Sequence, residues 1–170
     1  NYNDIESLNN LFEKFKNKVA CVIMEPISKE KPKCKKICSF CKPQKKCEGF
    51  LKQVKKLTHK NNALLIFDEV VTGFRISCGG YQKVSKVTPD LSCFSKAMGN
   101  GFPISALVGK KEFMKKSNEI FYSLTFGSDP ISMATEVPAS QGCVGSYPGY
   151  TNCLLHPMSV KLALPPMGQG

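Results

Sequence analysis

The chain has 170 residues, of which 24 are Lys or Arg and 13 are Asp or Glu, so its formal net charge is +11 and its pI is about 9.3. This length predicts about one domain with a real core, and the 42% of hydrophobic residues excludes a wholly disordered protein. The longest apolar runs are too short to cross a bilayer, and the first residues resemble neither a basic leader nor a signal sequence. We therefore expect a soluble, cytoplasmic protein.

Helices and buried strands alternate in the first part of the chain. Apolar side chains recur at helical spacing over residues 4–17, and the apolar run Val19–Met24 is typical of a strand buried on both faces. A second amphipathic helix begins at Phe50 and ends near Asn61, and Ala63–Phe67 predicts a second strand. This order of elements is typical of an α/β fold with a mostly parallel sheet flanked by helices.

Shorter segments continue this pattern. Gly79 and Gly80 mark a loop, and Leu91–Phe94 and Ser105–Gly109 each have the length and composition of a strand. Residues 110–117 predict a short helix. We expect one partial domain over residues 1–135 with a Lys- and Cys-rich insertion at about 28–48. Residues 136–170, which are rich in Pro and Gly, predict an irregular tail or sequence foreign to the domain.

The basic charge and the cysteines concentrate around this insertion. Twelve lysines and only two acids lie between Lys29 and Lys60. This composition favours a solvated loop over a segment that attracts nucleic acid or the acidic surface of a partner. The odd total of nine cysteines favours a reducing compartment. Four are clustered at Cys34, Cys38, Cys41 and Cys47. They allow a metal-free loop, a zinc site or an iron–sulfur cluster, and the first three also have the spacing of radical-SAM enzymes.

Three residues stand out as candidates for chemistry. Asp68 directly follows a buried strand, where open α/β sheets bind ligands, although a loop acid or a helix cap has the same position. Lys96 lies in a small, Gly-rich segment after another apolar run, and Thr125 precedes a Gly-Ser pair suited to phosphate. A solvated lysine and an ordinary turn are the alternatives. His59 and His156 have no partner motif, and we expect both to be solvent-exposed.

Several segments resemble, in order, the class III pyridoxal-phosphate aminotransferases. These segments are Val22–Pro26, Leu65–Arg75, Pro89–Leu91 and Ser95–Pro103. The Gly73-Phe74-Arg75 continuation and Gly79–Gln82 are most similar to the glutamate-1-semialdehyde aminomutase branch. The resemblance runs from about Leu8 to Ala134 and is interrupted by the Cys-rich insertion. It implies a fragment of the large domain of a fold-type I pyridoxal-phosphate transferase.

The resemblance also implies roles for single residues. Lys96 would hold pyridoxal 5'-phosphate as a Schiff base and then carry the proton, and Asp68 would pair with the pyridine nitrogen. Val70 would pack against the ring, and Thr125 would bind the phosphate across the interface of a homodimer. Glu25 and Arg75 are expected to be structural: neither is assigned a catalytic role. The implied reaction is transamination of an amino acid, a semialdehyde or a keto compound, with a small amino donor and a carbonyl acceptor. The resemblance leaves open whether the enzyme is an aminotransferase or an aminomutase.

The resemblance has two gaps. The upstream phosphate loop and the small domain of the family have no counterpart in the sequence, so we expect a truncated chain that is inactive alone. The alternative is a non-catalytic α/β scaffold whose basic, Cys-rich insertion binds nucleic acid, protein or metal. Together, Asp68, Lys96 and Thr125 favour the enzyme, because a scaffold needs none of them. Neither a membrane nor a nucleic acid is an expected partner of that enzyme.

Overall fold

The computed structural model describes residues 1–32, 49–99, 101–120 and 155–156. In chain order the elements are α1 (Ile5–Lys14), β1 (Cys21–Met24), α2 (Phe50–Lys60), β2 (Leu64–Asp68), α3 (Gly80–Ser85), β3 (Leu91–Phe94), a 3₁₀ turn (Lys96–Met98), β4 (Ser105–Gly109), α4 (Lys111–Met114), a second 3₁₀ turn (Lys115–Glu119) and β5 (Leu155–His156). The clustered cysteines of the predicted insertion lie outside the described residues, as does the predicted tail except for β5.

The strands form one mixed sheet in the order β1-β2-β3-β4-β5. β1, β2 and β3 are parallel to one another, whereas β4 runs antiparallel to both β3 and β5. The crossover from β1 to β2 includes α2, and the crossover from β2 to β3 includes α3. The predicted mostly parallel sheet with flanking helices is therefore confirmed.

The core lies on one face of this sheet. Leu65 and Phe67 of β2 are fully buried and pack with Leu51 and Val54 of α2 and with Tyr81 of α3. Burial of each large apolar side chain contributes about 1.5–3 kcal/mol, so this cluster holds both helices against the sheet. A second cluster surrounds the end of β3 and consists of Phe94, Met98, Ile104, Ala106 and Val108.

The opposite face of β1 is open. Cys21 is exposed and Ile23 is 62% exposed, whereas Val22 and Met24 pack against the core cluster. The prediction that Val19–Met24 is buried on both faces is therefore wrong for the structure. An apolar run shows that a strand is hydrophobic on both sides, but it does not show that both sides are covered.

Local signals explain most of the element boundaries. The Asp4 side chain caps α1 by accepting a hydrogen bond from the Ser7 backbone N–H at 2.9 Å. α2 ends at Lys60 with Asn61 as its C-cap, close to the predicted end, and β2 extends one residue beyond its predicted apolar segment, through Asp68. The short helix α3 was not predicted, because its Gly79-Gly80 start is typical of a loop. None of the helices in the described ranges combines the length and the hydrophobicity that a membrane span requires.

Candidate active site

Asp68 is the last residue of β2 and lies at the carboxyl end of that strand. Its Oδ1 atom accepts a hydrogen bond from the Val70 backbone N–H at 3.0 Å, so the side chain is held in a tight turn. Asp68 is partly exposed, unlike its buried neighbours Phe67 and Glu69. The chain therefore leaves the sheet with one carboxylate directed away from the core, at the sheet edge where α/β proteins bind ligands.

Lys96 begins the 3₁₀ turn that follows β3 and is exposed. Its φ of 44° lies in the left-handed region, which is strained for a residue with a Cβ atom. The turn is anchored on both sides: Ser95 Oγ donates to the Ile104 carbonyl at 2.7 Å, and Met98 is buried in the second core cluster. The backbone around Lys96 is thus fixed while its side chain remains accessible.

Asp68 and Lys96 lie at the same edge of the sheet. Asp68 is the register partner of Cys93 in the parallel β2–β3 pair, and Lys96 comes three residues after Cys93. Because register partners in a parallel pair point to the same face, Asp68 and Cys93 also share a face. The structure therefore brings the two predicted site residues to the carboxyl ends of neighbouring strands.

The other predicted positions are distributed as follows. Val70 is partly buried and supplies the N–H that binds Asp68. Glu25 directly follows β1 and is exposed, and Arg75 is exposed in the loop before α3. Thr125 lies outside the described residues.

The Asp68 carboxylate also acts on its register partner. Burial is the main cause that raises the pKa of the Cys93 thiol, and the negative charge of Asp68 raises it further. Cys93 is a free cysteine that is partly exposed. The ionisation of the Cys93 thiol therefore responds to the charge of Asp68 as well as to burial.

Sequence reasoning missed the role of Glu69. This side chain is completely buried, and its oxygens accept hydrogen bonds from Thr72 Oγ1 and from the backbone N–H groups of Tyr81 and Gln82. The available signal was an acidic residue directly after a buried strand, followed by Gly79-Gly80 and a short helix with no capping side chain of its own.

A second buried carboxylate, Asp90, lies at the other end of β3. Its Oδ2 atom is 2.8 Å from His59 Nε2 and accepts from the Leu65 backbone N–H at 2.8 Å, and its Oδ1 atom is 2.6 Å from Lys110 Nζ. His59 is 37% exposed, as expected, but it has a specific partner that the sequence analysis did not foresee. This cluster joins β2, β3 and α2 at the edge remote from Asp68, a location that indicates a structural role.

Comparison with known proteins gives consistent results. Residues 2–139 match the family model described as "Aminotransferase class-III". The chain is 40% identical over 139 residues to the glutamate-1-semialdehyde 2,1-aminomutase of Francisella philomiragia, covering 80% of this chain and 30% of the relative. It is 42% identical over 135 residues to the enzyme of the same name from Methanosphaera stadtmanae, covering 78% and 30%. The chain thus spans about 30% of the length of these relatives.

Solved structures show the same fold. An omega-transaminase from Sphaerobacter thermophilus has a TM-score of 0.66 and 28% identity, with 83% of this chain and 31% of that chain covered. The FumI protein of Sphingopyxis sp. MTA144, solved in its PLP internal aldimine form, has a TM-score of 0.67 and 26% identity, with 85% and 33% covered. These matches confirm the predicted resemblance to the class III aminotransferases, with the aminomutases among the similar relatives. They also confirm the fold expected for part of the large domain.

Proposed function

The chain belongs to the class-III aminotransferase family, and we propose that Lys96 and Asp68 form the centre of a pyridoxal 5'-phosphate site in it. The observation that carries this proposal is the β2–β3 register, which brings Asp68, with its carboxylate, and Lys96, with its primary amine, to the carboxyl ends of neighbouring strands. These two groups match the chemistry of the cofactor, which has a ring nitrogen that can be protonated and an aldehyde that reacts with amines.

Each residue has a distinct task in this proposal. Lys96 Nζ would hold the cofactor through its aldehyde, and as a free amine it would move a proton between substrate and cofactor carbons. The Asp68 carboxylate would pair with the ring nitrogen and favour its protonated form. When bound, the cofactor supplies an electron sink for the charge left by proton removal.

Two further residues complete the proposed site. Val70 would supply an apolar contact to the ring, and its N–H already fixes Asp68 Oδ1. For Thr125 only the family resemblance supports a role, which is to bind the cofactor phosphate from the partner subunit of a homodimer. A cytoplasmic location is proposed on the same resemblance.

The proposed reaction is the movement of an amino group in a small molecule. The 40% and 42% identical aminomutases favour an isomerase that acts on an amino acid semialdehyde, and the transaminase structures favour transfer between an amino donor and a carbonyl acceptor. Because the aligned region is about 30% of those relatives, we propose that turnover needs more than these 170 residues.

Borohydride trapping tests the site directly. The chain is incubated with pyridoxal 5'-phosphate, reduced with borohydride and digested, and the modified lysine is identified by mass spectrometry. Selective labelling of Lys96 is expected, because its backbone is held in the turn after β3, next to the carboxyl end of β2, while the residue is exposed. Labelling spread over the lysines between Lys29 and Lys60 would refute the proposed site.

A further inference from the structure

Glu69 directly follows Asp68, and both of its carboxylate oxygens accept hydrogen bonds. Its Oε2 atom accepts from Thr72 Oγ1 at 2.7 Å and from the Tyr81 backbone N–H at 2.6 Å, and its Oε1 atom accepts from the Gln82 N–H at 2.9 Å. The residue is 0% exposed. A carboxylate at such a position is tolerated only when hydrogen bonds replace its lost hydration, as they do here.

The backbone of Glu69 is held as firmly as its side chain. Its N–H donates to the Cys93 carbonyl at 2.9 Å, one residue beyond the Asp68–Cys93 register pair. Its carbonyl accepts from the Gly73 N–H at 2.8 Å and so closes a turn over residues 69–73. Glu69 is therefore the point at which β2 stops pairing and the loop after Asp68 begins.

A glycine at the start of α3 makes this arrangement possible. Gly80 has φ +67°, and a Cβ atom there would overlap the Glu69 carboxylate. The absence of a side chain lets the backbone of α3 approach closely enough for the next two N–H groups to bind the carboxylate. The buried Glu69 side chain thus connects the loop after Asp68 to the start of α3.

We propose that Glu69 is a positioning residue for Asp68, anchoring the turn whose Val70 N–H holds Asp68 Oδ1 in place. The inference rests on the proposed function, because Asp68 matters for chemistry only if it pairs with the cofactor. Glu69 itself faces α3 and does not contact the reacting groups in this proposal.

The substitution Glu69→Gln tests the charge and the acceptor pattern. Both carboxylate oxygens of Glu69 accept hydrogen bonds, so an amide would direct its NH₂ group at another donor and leave one N–H unpaired. Thr72→Val removes a single donor at nearly constant shape, and Gly80→Ala displaces the carboxylate without removing its charge. The exposed Glu112 provides the control Glu112→Gln.

Cys93 alkylation gives a readout that needs no cofactor. The rate is measured against pH by mass spectrometry of the Cys93 peptide, in the native background and in Asp68→Asn. If Glu69 acts by holding Asp68, Glu69→Gln lowers the apparent pKa of Cys93 in the native background and changes it little in Asp68→Asn. A shift of equal size in both backgrounds, or no shift in either, would overturn the inference. If Glu69→Gln does not fold, Thr72→Val and Gly80→Ala are compared in the same two backgrounds, and they decide whether Glu69 positions Asp68.

A second measurement separates this inference from the proposed function. The affinity of the chain for pyridoxal 5'-phosphate is expected to fall about tenfold in Glu69→Gln and to stay unchanged in Glu112→Gln. If the native chain shows no selective Lys96 labelling, the proposed function fails. The Cys93 alkylation measured in the two backgrounds still decides whether Glu69 positions Asp68. If Lys96 is labelled but the effect of Glu69→Gln on Cys93 does not depend on Asp68, only the proposed role of Glu69 fails.

Discussion

The imidazole Nε2 atom of His59 lies 2.8 Å from the buried Oδ2 atom of Asp90, 31 positions further along the chain. This contact joins α2 to the start of β3, and Lys110 binds the other carboxylate oxygen from the end of β4. Burial acts to raise the pKa of Asp90. The Lys110 ammonium, the Leu65 N–H and the His59 ring outweigh it, so the pKa of this carboxyl lies below its usual value.

Asp90→Asn is expected to destabilise the fold in a pH-dependent manner. Because the pKa is lower in the folded chain, ionised Asp90 stabilises it above the ordinary aspartate value, about 3.9, and this contribution is lost as the pH falls through the folded pKa. We expect the free energy of unfolding at pH 7 to fall by about 2 kcal/mol, with a smaller difference below pH 4. Urea denaturation of both chains between pH 3 and pH 7 measures this difference. An equal loss of unfolding free energy at pH 3 and pH 7 would contradict the stabilising role of ionised Asp90.

Lys110→Met is expected to weaken the same cluster more mildly. Lys110 Nζ lies 2.6 Å from Asp90 Oδ1, but its side chain is 41% exposed, so solvent screening keeps its contribution to about 1 kcal/mol. Without this ammonium the pKa of Asp90 rises, and acid unfolding should begin at a higher pH. Acid titration followed by circular dichroism checks this. The neighbouring exposed Lys111 provides the control, since Lys111→Met should leave the transition unchanged.

The cluster of Asp90, His59 and Lys110 could not be predicted from the sequence, although the elements that carry it could. The apolar pattern predicts β2, β3 and α2 because periodicity is a local property, and the structure places these elements where predicted. The partner of His59 depends on how α2 packs against the sheet, and no spacing along the chain contains that information. His59 was therefore predicted as an ordinary exposed histidine.

The residues of the candidate site also differ in whether the sequence alone could point to them. Asp68 and Lys96 were predicted as site residues because ligands bind at strand ends and because the surrounding motifs resemble a family. Glu69 was missed because its three donors come from Thr72 and from the start of α3, which the sequence presents as a Gly-rich loop. A buried carboxylate can be recognised only when the groups that replace its hydration are known.

Lys96→Ala is expected to abolish covalent attachment of pyridoxal 5'-phosphate. The matched control is Lys86→Ala, because Lys86 is also exposed and also has a left-handed backbone, with φ 56° against 44° for Lys96. Both substitutions therefore place Ala in a similarly strained conformation, and only one removes the proposed attachment point. Borohydride reduction followed by peptide mapping measures the result. Specific cofactor absorbance that persists in Lys96→Ala, at the level seen in Lys86→Ala, would refute the role of Lys96.

Asp68→Asn is expected to separate cofactor attachment from cofactor activation. The amide oxygen can still accept from the Val70 N–H, so the turn should persist, but a neutral side chain no longer favours a protonated ring nitrogen. Lys96 should therefore still be labelled at saturating cofactor, with the affinity about tenfold weaker. In the same variant the pKa of Cys93 should fall, because the negative charge that helps to raise it is gone. Titration by cofactor absorbance and Cys93 alkylation against pH measure the two effects. Unchanged affinity together with a normal Cys93 profile would remove Asp68 from the site.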